Sequence, residues 1–159
     1  MKKLIVLILA LSFMFALTAC KNEAQEQLVV YSFYGENECF AISNGTIVLS
    51  NSEDIFYGGS IHITQPESII NISSYRATFY TIIDGQQEII LVDELHNSSS
   101  AELLDISLGK KVVNDSEINK QFKNIDELNG KVFCELKTTD IEGNENSYTI
   151  ELELTKITK

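Results

Sequence analysis

Apolar and polar residues alternate with a period of two along most of this chain, and that period predicts strands. The last stretch shows it most openly. Tyr148, Ile150, Leu152 and Leu154 interleave with Thr149, Glu151, Glu153 and Thr155. Successive side chains of a strand point to opposite faces, so the first set belongs to a core and the second to water. One-sided burial is the habit of antiparallel sheets, whereas strands of parallel sheets read as unbroken apolar runs. Residues 28–33, 59–64 and 103–108 are further strand candidates, and turn signals cut the chain at short intervals. Together these features predict an all-β, antiparallel sandwich or barrel.

The hairpins can be named. Asn44-Gly45 lies between 38–43 and 46–50, and Asp84-Gly85 between 76–83 and 86–92. Such dipeptides are the strongest two-residue hairpin signals, because both central residues of the turn need positive φ. Residues 132–138 and 147–157 flank a longer loop through Gly143-Asn144. Gly58-Gly59 predicts a bend or bulge beside Phe56 and Tyr57. One segment has a different period: Ile118, Phe122, Ile125 and Leu128 recur at helical spacing behind Asp115-Ser116, a pair able to cap a helix. A short helical crossover between sheets is expected there, ending near Asn129-Gly130.

The first twenty residues follow another logic. Lys2 and Lys3 precede an apolar run from Leu4 to Leu17, and small residues then lead to Cys20. A basic start, an apolar middle and a small-residue end make a secretory signal. As a helix, the run would reach only about 21 Å, short of the ~30 Å hydrocarbon core. The tetrapeptide Leu17-Thr18-Ala19-Cys20 resembles the lipobox of bacterial lipoproteins. The resemblance implies cleavage before Cys20 and lipid on its thiol, giving a protein anchored to the extracytoplasmic face of the cell membrane without spanning it. Residues 1–19 are then signal, 20–27 a polar tether, and 28–159 a single domain.

Composition narrows the partners. Loss of Lys2 and Lys3 takes the net charge from −11 to −13, and Arg76 is the sole arginine. So acidic a domain repels phosphate backbones, which argues against nucleic acid. Of three cysteines, Cys39 and Cys134 remain once Cys20 is lipidated, and export permits a disulfide between them. The alternation favours two separate thiols. Cys134 shares a face with Val132 and Leu136, while Cys39 alternates against Phe40 and Ile42, so the sulfurs are expected on opposite faces.

No catalytic, metal or cofactor constellation is legible. His62 and His96 form no spaced pair, and Ser98, Ser99 and Ser100 lack a nucleophile elbow. Asp140, Glu142, Asn144 and Glu145 gather oxygen ligands in one loop, but their spacing misses the twelve-residue calcium pattern, so a solvated hairpin is expected. Acid pairs such as Glu53-Asp54, Asp93-Glu94 and Asp126-Glu127 are too numerous for proximity to mean much. Tyr31, Phe33 and Tyr34 beside Gly35, and Phe56 and Tyr57 beside Gly58, offer a groove for a peptide or sugar, although alternation assigns Tyr31 and Phe33 to the core.

The run from Gly130 to Asn144, with Thr139, Asp140, Gly143 and Asn144 as Thr-Asp-x-x-Gly-Asn, resembles the last hairpin of bacterial immunoglobulin-like domains. That likeness implies an immunoglobulin-like sandwich, without the antibody core: Val132 stands where a tyrosine would, and no tryptophan exists. Gly35-Glu36-Asn37-Glu38, with Phe40 and Asn44-Gly45, is similar to small Firmicute lipoproteins. The expected function is a non-enzymatic binding or accessory module at the cell surface, with a surface protein or glycan as ligand. The alternative is a wall-directed hydrolase that uses paired carboxylates.

Overall fold

Alternation becomes eleven strands in two antiparallel sheets among residues 28–65, 71–96, 105–114, 118 and 131–158, which the computed structural model describes. The larger sheet holds β1 (Val29–Glu36), β2 (Phe40–Leu49), β3 (Glu53–Tyr57), β4 (Ser60–Ile63), β7 (Asp105–Ser107), β8 (Lys110–Asn114) and β11 (Glu153–Lys156). Its order is β11-β1-β2-β3-β8, and β3 and β4 lie end to end against β2, parted at Gly58-Gly59. β8 and β7 lie end to end against them in turn. The smaller sheet holds β5 (Ile72–Ile83), β6 (Gln86–Leu95), β9 (Val132–Asp140) and β10 (Glu145–Glu151), in the order β10-β9-β5-β6. The chain thus forms the all-β sandwich that its sequence predicts.

The inner faces meet around three phenylalanines. Phe33 stacks on Phe56 at 5.2 Å, and both meet Phe79 of the other sheet edge-on at 5.9 and 5.2 Å. Such pairs contribute about 0.5–1.5 kcal/mol each beyond the area they bury. Ile42, Ile47, Ile61, Ala77, Ile90, Val132, Cys134, Leu136 and Ile150 fill the space around them. Buried polar groups are paired: Thr81 donates to the Lys131 carbonyl at 3.0 Å, and the Tyr75 hydroxyl to Asp93 at 2.8 Å. The last strand alternates as predicted, and it also changes sheets. The Leu152 N–H donates to Val132 O, and one residue later Glu153 pairs with Tyr34.

One expected hairpin is absent. β2 runs straight through Asn44-Gly45, with β1 along one side of it and β4 and then β3 along the other. From Phe33 to Gly35, β1 advances two residues while β2 advances three, from Gly45 to Ile42. The extra residue is a β-bulge, with Asn44 at φ 59°. The reason is contact. The Phe33 ring lies on Gly45, where a Cβ would stand 2.0 Å from ring carbon Cε2. A glycine here admits an aromatic ring, and the bulge continues the strand instead of reversing it. Asp84-Gly85 does make the predicted turn, at φ 51° and 77°.

Of the expected helical crossover, Ile118 is described: its backbone is helical and its side chain fully buried. Phe122, Ile125 and Leu128 lie outside the described residues, as do the signal and tether, 1–27.

Candidate ligand-binding face

The outward side of the smaller sheet is built by parity. β5 turns Tyr75, Ala77, Phe79 and Thr81 inward and leaves Arg76, Thr78, Tyr80 and Ile82 on the other face. β9 buries Val132, Cys134, Leu136 and Thr138, so Phe133, Glu135, Lys137 and Thr139 join that face. A bulge in β6 turns both Ile90 and Leu91 inward and leaves Ile89 opposite Tyr80. Register then lines these residues up across the strands.

One half of the face is apolar. Tyr80 and Phe133 are direct partners and stack at 5.4 Å with 21° between their planes. Ile89 beside them is 52% exposed and Ile82 39% exposed. Burial raises the Tyr80 phenol pKa, and the neighbouring Glu135 carboxylate and Cys134 raise it further, so the hydroxyl stays neutral.

The other half is a row of paired charges. Arg76 Nε lies 3.8 Å from Glu94, and His96 Nε2 lies 3.5 Å from the same carboxylate. Lys137 Nζ lies 3.5 Å from Glu135, which also accepts a hydrogen bond from the Ser147 hydroxyl at 3.0 Å. Arg76, Glu94, His96, Lys137, Thr139 and Ser147 help line a shallow depression of about 430 Å³. Exposed ion pairs contribute about 0–1 kcal/mol, so this row does little for stability. What it does is hold donors and acceptors in register beside an apolar patch.

Other sequence candidates go elsewhere. Tyr31, Phe33 and Phe56 are core, and Tyr34 is exposed, donating its hydroxyl to Glu153. Cys39 and Cys134 are free thiols. Burial pushes the Cys134 thiol far up and Glu135 adds to it, which leaves a neutral, apolar group. Cys39 packs part-buried at the core margin, and its N–H donates to Asn37 Oδ1 at 2.9 Å. Asp140 is occupied as a turn cap. Its carboxylate accepts the N–H groups of Glu142 and Asn144 at 2.9 and 2.8 Å, and the Asn144 amide at 2.9 Å. These bonds, those from Asn144 foremost, hold its pKa below the ordinary aspartate value. Asp54 is fully buried and accepts the Ser50 N–H at 3.2 Å. Cys20, Leu17, Thr18, Ala19, Ser98, Ser99, Ser100, Asp126 and Glu127 lie outside the described residues. Among the described residues, no three His, Cys, Asp or Glu side chains gather as metal ligands would.

Sequence reasoning passed over the Tyr80–Phe133 pair. The signal was present: placing Val132, Cys134 and Leu136 inward leaves Phe133 outward, and Phe79 inward leaves Tyr80 outward. No protein-family model, curated protein or solved structure matches the chain.

Proposed function

We propose that this chain is an extracytoplasmic lipoprotein whose β-sandwich binds a surface protein through the outward face of β10-β9-β5-β6. Residues 1–19 are the signal, Cys20 carries the lipid, and 20–27 form the tether. The observation that carries the binding reading is the Tyr80–Phe133 stack, set among the exposed Ile82 and Ile89, with Arg76 in the charged row along the same strand. Aromatic residues and arginine are enriched where protein partners meet, with polar groups around them. A protein is favoured over a glycan because the two rings stack on one another. Each has one face occupied, and the aliphatic Ile82 and Ile89 beside them suit a protein surface better than a hydroxylated sugar. Glu94 and Glu135 sit against cations, which supports binding over acid–base hydrolysis.

The test is capture of partners from envelope extracts by the full acylated protein and by Phe133→Ser. The substitution should leave the melting temperature nearly unchanged while removing most of the captured partner. Equal capture by both would refute this face as the site. The anchor has its own check: mass spectrometry should find a diacylglyceryl group on Cys20 at the mature amino terminus, and Cys20→Ala should leave the chain unlipidated.

A further inference from the structure

The opposite outer face, on the larger sheet, carries an aliphatic row. Val30 pairs with Val48, Val48 with Ile55, and Ile55 with Val112, one β-branched residue from each neighbouring strand. Ile157 donates its N–H to the Val30 carbonyl and extends the row past the other edge. Val112 is 45% exposed and Ile157 58%. Every member lies in the half of the sheet where β1 begins.

Charge divides along the same line. Lys110 shares strand and face with Val112, Lys111 adjoins it, and Lys156 precedes Ile157. The acidic Glu36, Glu38 and Glu153 gather at the far end, and Glu53 is the exposed acid of the near half among the described residues. The aliphatic row thus lies away from the acidic end of the sheet.

We infer that this half-face rests on the bilayer to which the chain is anchored, an inference that depends on the lipoprotein reading above. Seven residues, 21–27, separate Cys20 from the described domain. From Cys20 to Leu28 the chain spans at most about 28 Å when extended, and about 16 Å on average as a flexible coil. The row begins at Val30, three residues beyond the tether. Contact with lipid is therefore intramolecular, and a weak apolar surface suffices because its effective concentration is high. Side chains at such an interface sit about 5–10 Å into the headgroup and acyl boundary. Lys110, on the face of the row, meets anionic headgroups, and the far-end acids tilt that end away. The partner-binding face, on the other side of the sandwich, then points outward.

The chain has no tryptophan, so single replacements report position. Val112→Trp, Ile157→Trp and, on the opposite face, Thr149→Trp are made in the acylated full-length protein. Each is reconstituted in phosphatidylglycerol vesicles with brominated acyl chains. At an interfacial depth, fluorescence at 112 and 157 should shift to the blue and fall by about half, with 149 unchanged. Two probes on the row keep the test open should one variant misfold. Equal, solvent-like emission from all three in sedimented vesicles would overturn the docking and leave the anchor intact. A blue shift that needs no lipid and grows with protein concentration would assign the row to a second copy and also overturn it. Chains that stay in the supernatant without an acyl mass would remove the anchor, and the docking with it.

Discussion

Asn44-Gly45 and Asp84-Gly85 carry the same local instruction and obey it differently. Both first residues take positive φ, at 59° and 51°. After Asp84 the chain reverses between β5 and β6, while after Asn44 it continues along β2. The surroundings separate the two. Nothing lies within 4 Å of a Cβ built on Gly85, whereas one on Gly45 would collide with the edge of the Phe33 ring. Gly85 answers to backbone geometry and Gly45 to packing. A turn dipeptide therefore permits a reversal, and tertiary contact decides whether the chain reverses.

The comparison can be broken at several points. Gly45→Ala should be the most damaging change, costing about 3 kcal/mol through overpacking of the core, read as a lowered urea midpoint with an unaltered slope. Its cause can be isolated with Phe33→Leu, which alone should cost about 1–2 kcal/mol. In that background Gly45→Ala should cost at least ~1 kcal/mol less than in the parent, and additivity would show that the ring is not the obstacle. Gly85→Ala should cost about 1 kcal/mol: a left-handed residue loses about 1–2, partly offset by a less flexible unfolded chain. Asn44→Gly should move stability by no more than ~0.5 kcal/mol, because asparagine already tolerates this conformation.

A third turn sharpens the contrast through pH. Asp140 fixes the β9–β10 loop with a carboxylate, and its pKa is depressed in the folded state. Its contribution is therefore complete above the ordinary aspartate pKa of about 3.9 and lost as pH falls through the lower folded value. Asp140→Asn should lower the melting temperature slightly at pH 7 and by less on approach to pH 3. A constant difference across that range would mean that the charge is not what matters.

Much of the sandwich was legible because side-chain parity is local. Val132, Cys134 and Leu136 had to share a face, and so did Ile150 and Leu152, whatever lay opposite. What strand parity leaves open is which strands pair. The bulge at Asn44 depends on Phe33, eleven positions earlier, and the change of sheet at Leu152 depends on Val132 and Tyr34. The binding face was half legible. Phe133 and Tyr80 were outward by exclusion, but their contact needed the register of β5 on β9, which no single strand encodes. The aliphatic row across the larger sheet was hidden for the same reason: each strand lends it one residue, and only the assembled sheet sets them side by side.

The position of β1 bears on how the domain resists force. It lies between β2 and β11, hydrogen-bonded to both, and it is the first strand of the chain among the described residues. A pull on its first residues, directed along the strand, would load both ladders at once. The cross-strand bonds run perpendicular to that pull, so they share the load and must yield together in shear. Tension along β1 therefore meets two ladders in parallel, whereas a pull across the sheet would open them one bond at a time.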